Sequence, residues 1–439
     1  MTADQPPAPQ PAARATSRPH RWIYPSLLGL LFLLVQIVAA PSVGPSNDTY
    51  RYARQSLELL GRPPAVAQQT ALRDYCVDAA HFAARTARAQ PATANAPHET
   101  ERSAAACIAA SPQGLAPTSP RYEAIFTSRI GFPTLAAPLV ALLGPNAGLA
   151  ATSLLFTMLG GLLAFLLLRH LGTSTATALM GQGLYYASPI GWWGGYGLSE
   201  GPAIALSFAA LFGALLLLQR RLLPGTLLVG LALAAGASMR YANFLLIAGA
   251  LAAAAVLILV TIPRYRHAGT GALLAVSGAL AAGMAVTAKA LHWPGLSESL
   301  QDTFTVHFSR PDVADPWHQL MSLNQEFWLQ WGQDQLRSPW LLLAVGVGTW
   351  ATFRHSAPIG WVVLGVALTG VAAEIAHPVA NQGDRLMLQI WTAAVVGLPL
   401  LWHRHQTRGS SAATGAPAAR PPLQRSSPES FTPATNNPR

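Results

Sequence analysis

WIYPSLLGLLFLLVQIVAA (Trp22–Ala40), followed shortly by SNDTYRYARQSLELLG (Ser46–Gly61), decides how the rest of the chain is read. The first segment is an apolar run of about twenty residues, the length a membrane-crossing helix needs. In the second, Tyr50, Ala53, Leu57 and Leu60 recur at three-to-four-residue spacing and Gly61 supplies a stop. That pattern predicts an amphipathic helix at a membrane surface. Asp48 stands a few residues beyond the expected membrane exit. A carboxylate held there can act as a general base on a substrate half in lipid, or it can simply cap the helix by accepting a backbone N–H.

Outward from this point, further apolar runs follow one another through a chain of 439 residues that is 51% hydrophobic and only 10% charged. The expected fold class is an all-α polytopic membrane protein. Beyond Trp22–Ala40, spans are expected at Ala147–Leu168, Ala176–Ile190, Pro202–Leu218, Gly225–Ser238, Tyr241–Ile262, Gly271–Ala288, Trp340–Phe353, Ile359–Ile375 and Leu386–Trp402. About ten transmembrane helices result, with nine to eleven as the range. The apolar part of Gly131–Leu143 is short for a span, carries Pro133 and Pro138, and is left open between a re-entrant or interfacial segment and a tilted crossing.

The net charge of +10 does not point to nucleic acid, because the arginines sit in short loops and tails rather than in one patch. Placing Arg220, Arg221, Arg264, Arg266, Arg354, Arg404 and Arg408 on the cytoplasmic side orients alternate loops consistently. Both termini are then cytoplasmic, and Trp22–Ala40 is an uncleaved anchor, because Pro41 argues against signal cleavage. Residues 1–20 and 406–439, rich in Pro, Ala, Ser and Thr, are expected to be disordered tails. The transmembrane domain spans 21–405, with extracytoplasmic loops at 41–130 and 289–338. A single lysine, Lys289, against many arginines suggests high-GC bacterial coding and hence a bacterial plasma membrane.

Cys76 and Cys107 are the only cysteines and both fall in the first long loop. Outside a plasma membrane a disulfide persists, and one closing such a loop stabilises by roughly 3 to 4 kcal/mol. A Cys76–Cys107 bridge is expected; the alternative is two buried free thiols.

Several polar residues gather on the same expected face. Arg240, in GASMRYANFLL, lies between two apolar segments with no acidic neighbour in sequence. Its planar fork of donors suits a phosphate, or it snorkels to the headgroups. Arg385, in QGDRLMLQIW, is similar, but Asp384 stands beside it. Glu123, Arg129, Glu200 and His377 sit at segment ends, where each either lines a polar cavity or rests in interfacial water. The 289–338 loop holds Trp317, Phe327, Trp328 and Trp331 among His307, Asp302, Asp312 and Asn324. Aromatic faces beside hydrogen-bonding groups can hold sugars, or they form an interfacial belt.

The order of these pieces resembles the GT-C superfamily of polytopic glycosyltransferases. The likeness is carried by D-x-Y-R-Y-A at Asp48–Ala53 after the first span, R-x-G-F-P at Arg129–Pro133, S-M-R-Y at Ser238–Tyr241 and D-R-L at Asp384–Leu386. The resemblance implies sugar transfer, inverting in stereochemistry, from a polyprenyl-phosphate carrier to a glycan, lipid or protein acceptor on the outer face. Asp48 would be the catalytic base or acceptor-orienting carboxylate, Arg240 and Arg385 would hold the carrier phosphate, and Glu123, Arg129, Glu200, His307, Trp317 and His377 would line the substrate. Asn47 stands where many relatives carry a second acidic residue, which argues against a metal-dependent variant; no cofactor is expected. A transporter or flippase, or a non-catalytic membrane scaffold, is the alternative, although neither internal repeats nor a run of midplane charges favours transport.

Overall fold

The computed structural model describes residues 22–39, 44–88, 97–379 and 383–414. Of the tails expected at 1–20 and 406–439, residues 1–20 and 415–439 lie outside the described residues, as does Pro41, while 406–414 continue the last helix instead of beginning a disordered tail. Among the described residues every regular element is helical.

The apolar helix α1 (Ile23–Ala39) leads into a loop that is itself folded. It holds α2 (Asn47–Leu59), α3 (Pro64–Arg88), α4 (Pro97–Ala109) and α5 (Pro120–Thr127). Cys76 on α3 and Cys107 on α4 form the expected disulfide, with Cα atoms 5.7 Å apart. Tyr50, Tyr52, Leu72, Cys76 and Phe126 bury themselves beneath this loop, in a core of their own that extends to Phe132, Leu149 and Met239. The side of the bundle that carries this core is called the loop face below.

Next come α6 (Gly131–Leu143), α7 (Pro145–His170), α8 (Thr175–Ala187), α9 (Pro189–Gly194), α10 (Glu200–Leu218), α11 (Leu222–Thr261) and α12 (Ala268–Ala290). α13 (Leu296–Phe304) and α14 (Pro316–Arg337) form a second folded loop. The chain ends with α15 (Trp340–His355), α16 (Ala357–Ala376), α17 (Gly383–Leu386) and, after a 3-10 turn at Met387–Ile390, α18 (Trp391–Thr414). Six of these stretches are long and apolar enough to cross a membrane: α7, α10, α11, α12, α16 and Gly383–Gln406. The α5–α6 pair, bent by 80°, makes a seventh if it is taken as one span.

α10 is apolar on all sides and almost every residue in it is buried, as a central helix must be. Lipid tails are as apolar as leucine, so close packing rather than the hydrophobic effect holds such helices together. Gly348 on α15 and Gly397 on α18 illustrate this. A Cβ on Gly397 would lie 1.9 Å from the Gly348 carbonyl oxygen, so the two backbones touch only because both positions are bare.

Two local breaks position the site. α11 has 40 residues, which would run about 60 Å if straight, twice the hydrocarbon thickness. Arg240, at φ −153°, ψ 77°, interrupts it. A Cβ on Gly236 would fall 2.0 Å from the Phe244 ring, which two turns of straight helix could never allow. The chain folds back at Arg240, and both ends of α11 return to the end of α10: Gly225 and, beyond the C-terminal end, Gly269 both abut Leu217. The second break, at Ser128–Ile130, turns α5 into α6. With 13 residues, α6 is about 20 Å long, too short to cross alone. Gly131 at its start lies against Ser238, and Asn146 just beyond its end donates to Asp78 on α3 at 2.7 Å, so both ends meet the loop face.

Candidate active site

α2 begins with a reciprocal cap. Thr49 N–H donates to Ser46 Oγ at 3.3 Å, and Ser46 N–H donates to Thr49 Oγ1 at 2.9 Å. Ser46 therefore satisfies the orphan donor, which frees the Asp48 carboxylate for another partner. That partner is Arg385, at the start of the last span, which donates through Nη2 to Asp48 Oδ2 at 2.7 Å. Through Nε the same guanidinium donates to Oε1 of Glu200. Arg240, thrown to this level by the break in α11, brings its Nη2 to 3.0 Å from the same Glu200 oxygen. Arg129, in the break between α5 and α6, adds a third guanidinium whose field reaches Asp48.

Asp48, Glu200, Arg129, Arg240 and Arg385 thus come from five separate segments. Two carboxylates face three guanidiniums and leave one positive charge in a site where Glu200 is only 1% exposed. Burial alone would push the Asp48 carboxyl up, but Arg385 and Arg129 outweigh it and hold the group at about 2. Asp48 is therefore ionised at neutral pH. Charges taken out of water at such cost are retained where geometry and added hydrogen bonds compensate them, and a surplus of planar guanidinium forks suits an anionic ligand.

The other expected residues are placed around this cluster with different partners. Glu123 binds Arg51 Nε at 3.0 Å and is also paired with Arg54. Arg51 is wholly buried, donates to the carbonyls of Asn47, Leu115 and Pro117, and lies 4.5 Å from the centre of the Tyr122 ring. Glu123 and Arg51 thereby lock α2, α5 and the 115–117 segment together. His307 Nδ1 is 3.0 Å from Asp302 Oδ1, a hydrogen bond that raises the imidazole pKa, and its ring rests 4.7 Å from that of Tyr122. Val306, His307 and Phe308 are consecutive residues at φ 53°, 59° and 59°, left-handed backbone that only strong anchoring sustains. The anchors are His307 N–H to the Asp302 carbonyl at 2.8 Å and Phe308 N–H to Thr305 Oγ1 at 2.9 Å. His377 Nδ1 pairs with Thr303 Oγ1 at 2.8 Å, and burial lowers its pKa. Trp317 stays on α14, 49% exposed, and takes part in none of the cluster's contacts.

Arg51 is the residue that sequence reasoning passed over, and Asp302 was named only as one polar group among the aromatics of the 289–338 loop. Arg51 was visible inside the D-x-Y-R-Y-A stretch, one helical turn from Asp48. Asp302 carried no signal beyond its place in a polar loop. Among the described residues no three His, Cys, Asp or Glu side chains come together as a set of metal ligands.

The fold and the site define a multi-pass helical membrane protein with a buried, net-positive cluster on its loop face. No protein-family model, curated protein or solved structure matches the chain.

Proposed function

We propose that this protein is a membrane glycosyltransferase that moves a sugar from a polyprenyl-phosphate carrier to an acceptor. It would do so on the outer face of a bacterial plasma membrane, in building cell-envelope glycans or glycoconjugates. The observation that carries the reading is the Arg385 guanidinium bridging Asp48 and Glu200 beside Arg240 and Arg129. A carboxylate and a cluster of guanidiniums there share one arginine at the end of the apolar helices, an arrangement suited to transfer from a lipid-linked phosphate. The resemblance to the GT-C superfamily at Asp48–Ala53, Ser238–Tyr241 and Asp384–Leu386 points the same way.

In this reading α1, α7, α8, α10, the two halves of α11, α12, α15, α16 and α18 make ten crossings, with both termini cytoplasmic and α6 interfacial. The carrier phosphate sits among Arg240, Arg385 and Arg129. Asp48 takes the proton of an acceptor hydroxyl as that oxygen bonds to the anomeric carbon. The bond from that carbon to the phosphate oxygen breaks, its electron pair leaves with the phosphate, and the arginines stabilise the charge. At about 2, Asp48 is a weak base while Arg385 holds it. An arriving phosphate that draws Arg385 away would raise that value, so base strength is coupled to donor occupancy.

The test is transfer of labelled sugar from a polyprenyl-phosphate donor pool in membranes carrying wild type or Asp48→Asn at matched expression and insertion. Loss of transfer in the variant alone supports the proposal. Equal transfer from both removes Asp48 from the chemistry, and transfer from neither shifts the reading to a transporter or scaffold.

A further inference from the structure

α14 presents three different faces along its 22 residues. One packs on the protein: Leu320 and Asn324 are buried, and Phe327 reaches to within 3.6 Å of where a Cβ on Gly383 would stand. A second is polar and exposed, with Gln319, Glu326, Gln330 and Gln333. The third is exposed and largely apolar, with Trp317 at 49%, Met321 at 60%, Leu329 at 61% and Leu336 at 84%. At 3.6 residues per turn these four fall within an arc of about 120°, although exposed His318 and Gln325 fall in the same arc. No protein segment among the described residues covers them.

The neighbours of α14 fix the level at which this third face lies. Asn324 Nδ2 donates to the Ile375 carbonyl at 2.9 Å, in the last turn of the membrane-crossing helix α16. Only Ser338 and Pro339 separate Arg337 from α15, an apolar helix that packs against α16 and α18 and opens on Trp340, 74% exposed. From Asn324 to Ser338 the helix rises about 21 Å. Two points that far apart, both at the level where bundle helices end, make the axis run along the bilayer surface rather than away from it.

We propose that α14 is an interfacial helix whose Trp317–Met321–Leu329–Leu336 face is seated at the boundary between headgroups and acyl chains of the bilayer. This inference goes beyond the proposed activity and stands apart from it. The occupant is lipid rather than another protein because the face is continuous with the exposed apolar start of α15 at Trp340, Leu342 and Leu343. Trp and long aliphatic residues are also the side chains that insert at such a boundary. Anionic lipid is not what draws the helix down. Its arginine, Arg337, lies 3.6 Å from Asp334, and Glu326 shares the polar face. Apolar burial therefore drives seating, and lipid charge is secondary. Trp317 is a lipid contact in this arrangement, not a sugar contact. The seated helix also forms a shelf under Gly383, two residues before Arg385.

The test uses the full chain. Its two cysteines are joined as Cys76–Cys107 and no others exist, so an introduced cysteine is the only thiol. Met321→Cys, Leu329→Cys and, on the polar face, Gln330→Cys are spin-labelled and reconstituted in phosphatidylcholine nanodiscs. Collision rates with oxygen and with a water-soluble nickel chelate are then compared. The oxygen-to-nickel ratio at 321 and 329 is expected to exceed that at 330 several-fold, and to stay unchanged when a third of the lipid is phosphatidylglycerol. Equal ratios at all three positions would place the face in water and overturn the proposal. Labels at 321 and 329 shielded from both reagents would mean a protein partner or a second copy, which overturns it too. A ratio that rises with phosphatidylglycerol overturns seating by apolar burial. All three positions are exposed, and agreement between 321 and 329 guards against one substitution disturbing the fold.

Discussion

Replacing Arg51 by methionine tests whether the buried arginine, rather than the apolar core alone, holds the loop helices together. The guanidinium is fully buried, donates to Glu123 at 3.0 Å and to the carbonyls of Asn47, Leu115 and Pro117 at 3.3, 3.4 and 2.5 Å. Removing one partner of a buried pair costs about 3–5 kcal/mol. Glu123 keeps Arg54, so its charge is not stranded and the lower part of that range applies to the pair. The carbonyls of Leu115 and Pro117 lose a donor, at roughly 1–3 kcal/mol each where water cannot replace it. Methionine recovers part of the packing, and the net loss should be about 3–5 kcal/mol. Amide hydrogen exchange in nanodiscs reads this locally. Peptides from α2 and α5 should exchange roughly 10²- to 5 × 10³-fold faster, while those from α10 are unchanged. Arg54→Met is the control: Arg54 is 19% exposed, and its loss should cost about 1 kcal/mol. Equal exchange in the two variants would refute the reasoning, because the wholly buried arginine would then count no more than the partly exposed one.

Three further outcomes follow from the geometry. Asp48 is held at about 2 against its usual 3.8, so its charge stabilises the fold above pH 3.8 and that contribution, about 2 kcal/mol, is lost as pH falls toward 2. The stability gap between wild type and Asp48→Asn should be constant from neutral pH down to about 5 and shrink below 4; a gap that widens in acid contradicts the ion pair. Glu200→Gln leaves Arg240 and Arg385 without their shared carboxylate and should lower stability by about 3 kcal/mol, read by unfolding in mixed micelles of dodecyl sulfate, with no change expected if Glu200 merely ends a helix in water. Cys76→Ser, or a reductant, should destabilise the α3–α4 region by roughly 3–4 kcal/mol. Limited proteolysis would then cut between residues 64 and 109 faster, with α10 and α11 intact.

Much of the bundle was legible because apolar length is a local property. The runs around α7, α10, α12 and α16 announce themselves, whereas the short α6 was left open between an interfacial segment and a tilted crossing. Arg240 shows where local reading stops. In sequence it has no acidic neighbour, yet in space it meets Glu200, forty positions away, because α10 and the folded-back α11 run side by side. Asp384 was the obvious partner for Arg385 by adjacency, but the arginine turns to Asp48 and Glu200 instead. Glu123 and Glu200 look alike as acidic residues near helix starts. One became a clamp on Arg51 and the other the centre of the cluster, a difference decided by which helices pack rather than by residue type. Asp48 itself could have been a cap until Ser46 and Thr49 took that duty from it.

The left-handed run at Val306, His307 and Phe308 gives this region an unusual mutational signature. Glycine substitution weakens nearly any ordered segment, but here the native conformation is one that glycine enters freely and a β-branched residue resists. Val306→Gly should therefore be nearly neutral or slightly stabilising, since Val306 is 50% exposed and its side chain adds little packing. His307→Gly and Phe308→Gly relieve the same backbone but remove the ring from Tyr122 and the ring from Arg121. A saturation scan of these three positions would thus separate conformation from contact: tolerance of glycine at the first, and at the next two only as far as the lost ring contacts allow.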